Sequence, residues 1–222
     1  MGKLIVIEGT DGSGKSTQFH RLSEHLERDG IAFKHLVFPR YSEESSALIR
    51  MYLGGQFGKK PTDVNAYAAS AFYAVDRFAS YKMDWGAWYE SGGLVLSDRY
   101  TTSNAVHQAS KETGSDRAKY LQWLYDFEYD KLQLPRPDLT IYLDVPTDYT
   151  EKMMRQREQN TNTSADIHEQ DMQYLATCRE CGRSAAEFYG WTVISCVKDG
   201  VMRSIEDIHE EIYTVVKQCM EG

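Results

Sequence analysis

No apolar run in this chain of 222 residues approaches the ~20 residues that a membrane-spanning helix needs. Positive charge is in the minority: 25 Lys and Arg stand against 33 Asp and Glu, a formal net charge of −8. A nucleic-acid polymer or an anionic membrane demands a basic surface, so both are excluded as partners, and any bound anion must be met locally. Cysteine is scarce, with Cys178, Cys181, Cys196 and Cys219 the only four. They include one C-x-x-C pair, no second pair and no histidine at metal spacing, which argues against a zinc site and for reduced structural thiols in a cytoplasmic protein. Met1-Gly2-Lys3 runs straight into a strand, unlike a signal peptide. Linkers, low-complexity tracts and internal repeats are lacking too, so residues 1–222 are expected to form one domain.

What the chain does have is Leu4-Ile5-Val6-Ile7-Glu8-Gly9-Thr10-Asp11-Gly12-Ser13-Gly14-Lys15-Ser16-Thr17, an apolar strand running into Gly-x-x-x-x-Gly-Lys-Ser. This is a phosphate-cradling P-loop. Glycines let consecutive backbone N–H groups curl around an anion at a helix N-terminus, Lys15 reaches the β- and γ-phosphates, and the Ser16 hydroxyl is offered to Mg²⁺. The segment Gly9–Thr17 is therefore the expected donor site for ATP with Mg²⁺.

Short apolar runs suited to buried parallel strands recur at Lys3–Ile7, Lys34–Phe38, Leu94–Ser97, Thr140–Val145 and Thr192–Cys196. Helical patterns lie between them, at Lys15–Asp29, Ser45–Leu53, Val64–Glu90, Thr102–Glu112, Asp116–Leu132, Thr147–Glu158, Asp166–Tyr189 and Ser204–Met220. Gly30 suits the position just past the first helix. Alternating strands and helices predict an α/β fold of the P-loop NTPase type, a doubly wound and mostly parallel five-stranded sheet flanked by helices. Ligands then belong at the carboxyl ends of the strands.

Asp98, ending the apolar run Leu94–Ser97, is placed to hold the Mg²⁺ shell, and Arg99 beside it to clamp a phosphate. Asp144, ending another such run, is the competing metal acid. Phe38-Pro39-Arg40-Tyr41 ends the second strand on the same rim, with Arg40 expected to point into the cleft. Tyr73 and Arg77 lie four residues apart on one helical face. A ring that stacks beside a guanidinium that donates to base edges is what a base pocket needs, although Tyr73 suits a core position equally well. Asn104, His107 and Gln108 follow on a helix and put polar groups toward the cleft. The loop Val197-Lys198-Asp199-Gly200 is either a base-flanking loop or an ordinary turn.

Together these motifs, with Ala74-Val75-Asp76-Arg77, Asp98-Arg99-Tyr100 plus Ser103, and Ile167-His168-Glu169-Gln170-Asp171, resemble the thymidylate kinase family over nearly the whole chain. The resemblance implies phosphorylation of dTMP to dTDP at the expense of ATP, a nucleoside-monophosphate-kinase domain with a lid at about residues 155–168, and a homodimer packed through helices. It implies that Asp11 approaches the acceptor 3′-hydroxyl and the metal region, and that Arg40 and Arg99 hold the acceptor phosphate. Arg77 would read the thymine edge and Tyr73 stack on its face, with Phe72 the alternative register. Pro39 and Tyr41 would flank the acceptor, Asn104 and Gln108 would lie near sugar and base, and Glu169 would be an acid near the acceptor. The chain departs from the family pattern in three places. Tyr73 stands where Phe is usual, His107 stands where an aromatic often closes off the sugar's 2′ side, and no arginine occupies the Gly12 position. Residues 158–165 contain no basic side chain either, which leaves Arg155 or Arg157 as the catalytic arginine. Two other readings share parts of this pattern: a deoxynucleoside kinase, whose acceptor lacks the phosphate that Arg40 and Arg99 would clamp, and a non-catalytic nucleotide-binding regulator.

Overall fold

The computed structural model describes the backbone of residues 1–161 and 172–221 and the side chains of residues 1–154 and 173–221. Five strands, β1 (Lys3–Glu8), β2 (Phe33–Val37), β3 (Leu94–Asp98), β4 (Leu139–Asp144) and β5 (Thr192–Ser195), form one sheet in the order β2-β3-β1-β4-β5. Every pairing is parallel, so the sheet is wholly rather than mostly so. The cause is visible in β1, where both side-chain sets are apolar. Ile5 and Ile7 enter one core with Leu96, Ile141 and Leu143, while Leu4 and Val6 enter another with Val95 and Trp85. A strand buried on both faces suits parallel pairing with helices above and below.

The first core is covered by α1 (Lys15–Arg28) through Phe19, Leu22 and Leu26, and by α9 (Ile205–Glu221) through Ile208, Ile212 and Val216. Gly30 closes α1 as expected, at φ +71° with its N–H donating to the Glu27 carbonyl. The opposite face carries α3 (Ala66–Ser80), α4 (Gly86–Glu90), α5 (Thr101–His107) and α8 (Met172–Tyr189), while α2 (Ala47–Leu53) packs on α3. The remaining helices are α6 (Gly114–Tyr125) and α7 (Thr147–Thr161).

Several predicted helices differ in detail. The long helix over 64–90 begins at Ala66, where the Asn65 side chain accepts from the Ala68 N–H, and a π turn at Tyr81–Trp85 separates α3 from α4. The helix over 116–132 starts at Gly114 and converts to a π turn at Asp126–Lys131. That over 102–112 ends as a 3₁₀ turn at Ala109–Lys111. Val197–Lys198 and Val201–Met202 pair as a small antiparallel hairpin, turned by Asp199 (φ 52°) and Gly200 (φ 75°), the two positive φ values that such a tight turn requires. Of the expected lid, residues 162–168 and all of the side chains lie outside the described residues. Among those described, no helix is long and apolar enough to cross a membrane.

Candidate active site

A cavity of about 500 Å³ opens at the carboxyl ends of β1, β2 and β3, within the range usual for small-molecule sites. The P-loop forms one wall. Gly14 sits at φ +83° as the N-cap of α1, and Gly12 at φ +74°. A Cβ on Gly12 would lie 2.5 Å from the Thr150 carbonyl oxygen and 3.0 Å from Cγ of Met154. The arginine that some relatives are expected to carry at this position is therefore excluded by both backbone angle and the first turns of α7.

Lys15 is buried and donates to the Thr10 carbonyl at 2.8 Å. Burial, reinforced by the nearby Arg99 charge, pulls its pKa down to about 8 against the pull of Asp11, Asp98 and Glu8. Ser16 Oγ lies 3.4 Å from Oδ2 of Asp98, whose Oδ1 is buried without a hydrogen-bond partner among the described residues. An orphaned carboxylate oxygen beside a P-loop hydroxyl fits a divalent cation whose other ligands are phosphate and water oxygens. Asp144 does not compete for it, because Arg179 holds both its oxygens, at 2.8 and 3.3 Å, with Arg183 at 3.8 Å.

Arg99 occupies the centre. Its Nη2 donates to Oδ1 of Asp11 at 2.5 Å, while Nη1 reaches Ser103 Oγ and His107 Nε2, each at 3.1 Å, and Oε1 of Glu8 at 3.5 Å. Since Arg can only donate, His107 Nε2 accepts here. Burial works against the Arg99 charge, but Asp11, Glu8 and Asp98 outweigh it and hold the guanidinium firmly protonated. The residue also adopts φ +69°, a conformation L side chains rarely take.

Of the other expected residues, Pro39, Tyr41, Tyr73, Arg77, Ser103, Asn104, His107 and Gln108 line the cavity, as do Asp11 to Thr17 along the P-loop. Tyr73, and not Phe72, is therefore on the cavity wall. Phe72 turns away to pack near Tyr52 and Phe57, with ring centroids 6.4 and 5.7 Å distant. Arg40, expected to point into the cleft, is not among the lining residues: its backbone N–H donates to Asp76 Oδ2 at 2.9 Å and its Nε lies 3.6 Å from Oδ1. Gly9 and Thr10 lie behind the wall, Thr10 as the acceptor for Lys15. The side chains of Arg155 and Arg157, and Glu169 altogether, lie outside the described residues.

Two acids in the site carried no expected role. Glu8 is fully buried and accepts from Thr102 and Ser103 hydroxyls at 2.7 Å while facing Arg99; an acid directly after the apolar run Leu4 to Ile7 was the available signal. Glu128 is fully buried behind Arg77. The Cys178 and Cys181 thiols are buried in α8 with pKa values pushed up by burial to about 12 and about 11, which disfavours the reactive thiolate.

Comparison with known proteins agrees with this geometry. The family model described as thymidylate kinase matches residues 7–212. The thymidylate kinase of Mycobacterium tuberculosis is 32% identical over 170 residues, covering 76% of this chain and 78% of that one. The probable thymidylate kinase of Thermococcus gammatolerans is 31% identical over 220 residues, 98% of this chain and 97% of that one. That of Pyrococcus horikoshii is 30% identical over 223 residues, 100% and 98% of the two chains. A P-loop, the Arg99 guanidinium and a ring with a second guanidinium around one cavity are thus joined by matches along almost all of the sequence, and the chain belongs to the thymidylate kinase family, a nucleoside monophosphate kinase that phosphorylates dTMP.

Proposed function

We propose that the donor is ATP with Mg²⁺, bound by the P-loop from Gly12 to Thr17, and that the acceptor dTMP lies along the wall from Tyr41 to Gln108. An acceptor phosphate oxygen attacks the γ-phosphorus, the bond to the β-phosphate oxygen breaks, and ADP leaves with its charge stabilised by Lys15. Such transfer needs alignment and positive charge more than covalent help from the protein. Ser16 and Asp98 would hold the metal ion, which spreads the charge of the phosphate oxygens. Arg99 is the acceptor-phosphate clamp. Arg40 joins it by exchanging Asp76 for phosphate, Tyr73 stacks on the thymine ring, and Arg77 faces its edge. Arg155 or Arg157 supplies the further positive charge, since Gly12 has no room for it, and Glu169 is the acid near the acceptor.

The observation that carries this reading is the convergence of Lys15, Asp98, Arg99, Tyr73 and Arg77 on one cavity. ADP release with ATP and a panel of dTMP, dUMP, UMP, CMP and thymidine tests it. We expect dTMP to be preferred to thymidine by at least 100-fold in kcat/KM, and Arg99→Ala to raise the dTMP KM with little change in the ATP KM. Comparable use of thymidine would overturn the clamp.

The chain is further proposed to be a cytoplasmic homodimer. Tyr67, Val75, Phe78 and Met83 are exposed along α3 and the π turn that follows it, an apolar stripe of the kind that packs against a second copy.

A further inference from the structure

Glu128 lies outside the cavity wall, yet its carboxylate organises what the wall presents. Its Oε2 accepts from Arg77 Nε at 2.7 Å and its Oε1 from Arg77 Nη2 at 2.5 Å, a bidentate pair whose members are 1% and 0% exposed. Oε2 also accepts from the Thr101 hydroxyl at 2.7 Å, and Oε1 from Asn104 Nδ2 at 3.3 Å. One carboxylate therefore ties α3, which carries Tyr73 and Arg77, to α5, which carries Asn104 and His107. With Nε and Nη2 committed, Nη1 is the least engaged nitrogen of Arg77, its one contact being 3.3 Å to the Tyr100 carbonyl. Such a fork fixes the guanidinium plane, which a single contact could not.

The pair also sets the charge of this end of the cavity. A buried guanidinium alone would be costly and would attract anions, whereas the Arg77–Glu128 pair is neutral and still offers N–H donors. The phosphate end has the opposite design, with Lys15 and Arg99 opposed by acids that a phosphate can replace. Acceptor orientation follows, the neutral base going to the neutral end.

We infer that Glu128 is a positioning residue for acceptor-base recognition, holding the Arg77 guanidinium in the plane and charge state that a neutral pyrimidine carbonyl requires. This rests on the reading of Arg77 as the group facing the base. The π turn at Asp126–Lys131 is what carries Glu128 inward, since it shifts the helical phase after Tyr125.

The test is steady-state kinetics of Glu128→Gln, Arg77→Met and the double variant with ATP and either dTMP or dCMP, whose exocyclic amine replaces the thymine O4 acceptor. For Glu128→Gln the dTMP KM is expected to rise at least tenfold, with kcat within threefold, the ATP KM unchanged and the dTMP over dCMP preference falling at least tenfold. In the Arg77→Met background the same change is expected to add less than twofold, because both act through one guanidinium. An unchanged dTMP KM and preference in Glu128→Gln, with both altered in Arg77→Met, overturns the positioning role and leaves the Arg77 reading standing. Unchanged values in Arg77→Met overturn that reading itself. A parallel loss of kcat and of both KM values with a lowered Tm makes Glu128 merely structural and also overturns the inference. Thr101→Val removes only the hydroxyl tie and covers the case of a Glu128 variant that does not fold; a dTMP KM raised severalfold is expected, and an unchanged one counts against the role.

Discussion

Lys15 shows how a binding residue sets a stability at odds with its function. Its folded-state pKa of about 8 lies below the ordinary 10.5 of lysine. Below pH 8 the amine is charged in both folded and unfolded chains, and its burial costs stability on the order of 3 kcal/mol. Between pH 8 and 10.5 the folded chain gives up the proton while the unfolded chain keeps it, so this cost fades and stability rises with pH. A triphosphate reverses the preference by drawing the proton back. Nucleotide affinity is therefore expected to fall as pH rises through about 8, with proton uptake on binding visible by calorimetry in buffers of different ionisation enthalpy. Lys15→Met is expected to melt higher than the parent, to lose the pH-dependent part of binding and to lack transfer. A parent affinity flat up to pH 10 would contradict the shift. Arg99 stores a different cost, in its φ of +69°. Arg99→Ala and Arg99→Gly remove the same charge, but only glycine tolerates that angle, so the glycine variant is expected to be more stable by about 1 kcal/mol, roughly 2–4 °C in Tm. An alanine variant that melts at the same temperature would show that the backbone relaxes freely.

At the scale of elements, what was legible is what repeats with a simple period. β1 could be recognised because Leu4 to Ile7 are all apolar, and α1 because the P-loop starts it and Gly30 stops it. The π turns were not legible, for a pattern of 3.6 residues runs through Tyr81–Trp85 without an obvious break. The same blindness hid Glu128, which in an unbroken helix reads as one more solvated acid beside Asp126 and Asp130. The Arg40 contact was hidden for a related reason: the strand end fixes where its backbone sits, but only the fold brings Asp76 to 3.6 Å from its guanidinium. Tyr73 and Phe72 could be separated only once the α3 face was known. The exposed face of that helix carries its own expectation. If Val75 and Phe78 join two chains, Val75→Glu with Phe78→Glu is expected to convert a dimer to a monomer in sedimentation velocity, with the chain still folded by circular dichroism. A parent that sediments as a monomer at micromolar concentration would exclude that pairing.

For the molecule as a whole, a net charge of −8 coexists with a cleft whose wall carries Lys15, Arg77 and Arg99 beside Asp11 and Asp98. Composition argued against polymer and membrane partners without revealing that site; the motif did, since the P-loop carrying Lys15 follows β1 and Arg99 follows β3 of the same sheet. The order β2-β3-β1-β4-β5 carries a consequence for how the chain comes to exist. Lys3 lies beside Leu94, and Ile5 beside Leu139, so β1 has no neighbour until β3 has been made and stays open on its other side until β4 follows. Contacts this distant in sequence form slowly. The P-loop after β1 is thus organised late, and this apolar strand spends part of synthesis unpaired, its safety depending on α1 and on whatever shelters a nascent chain.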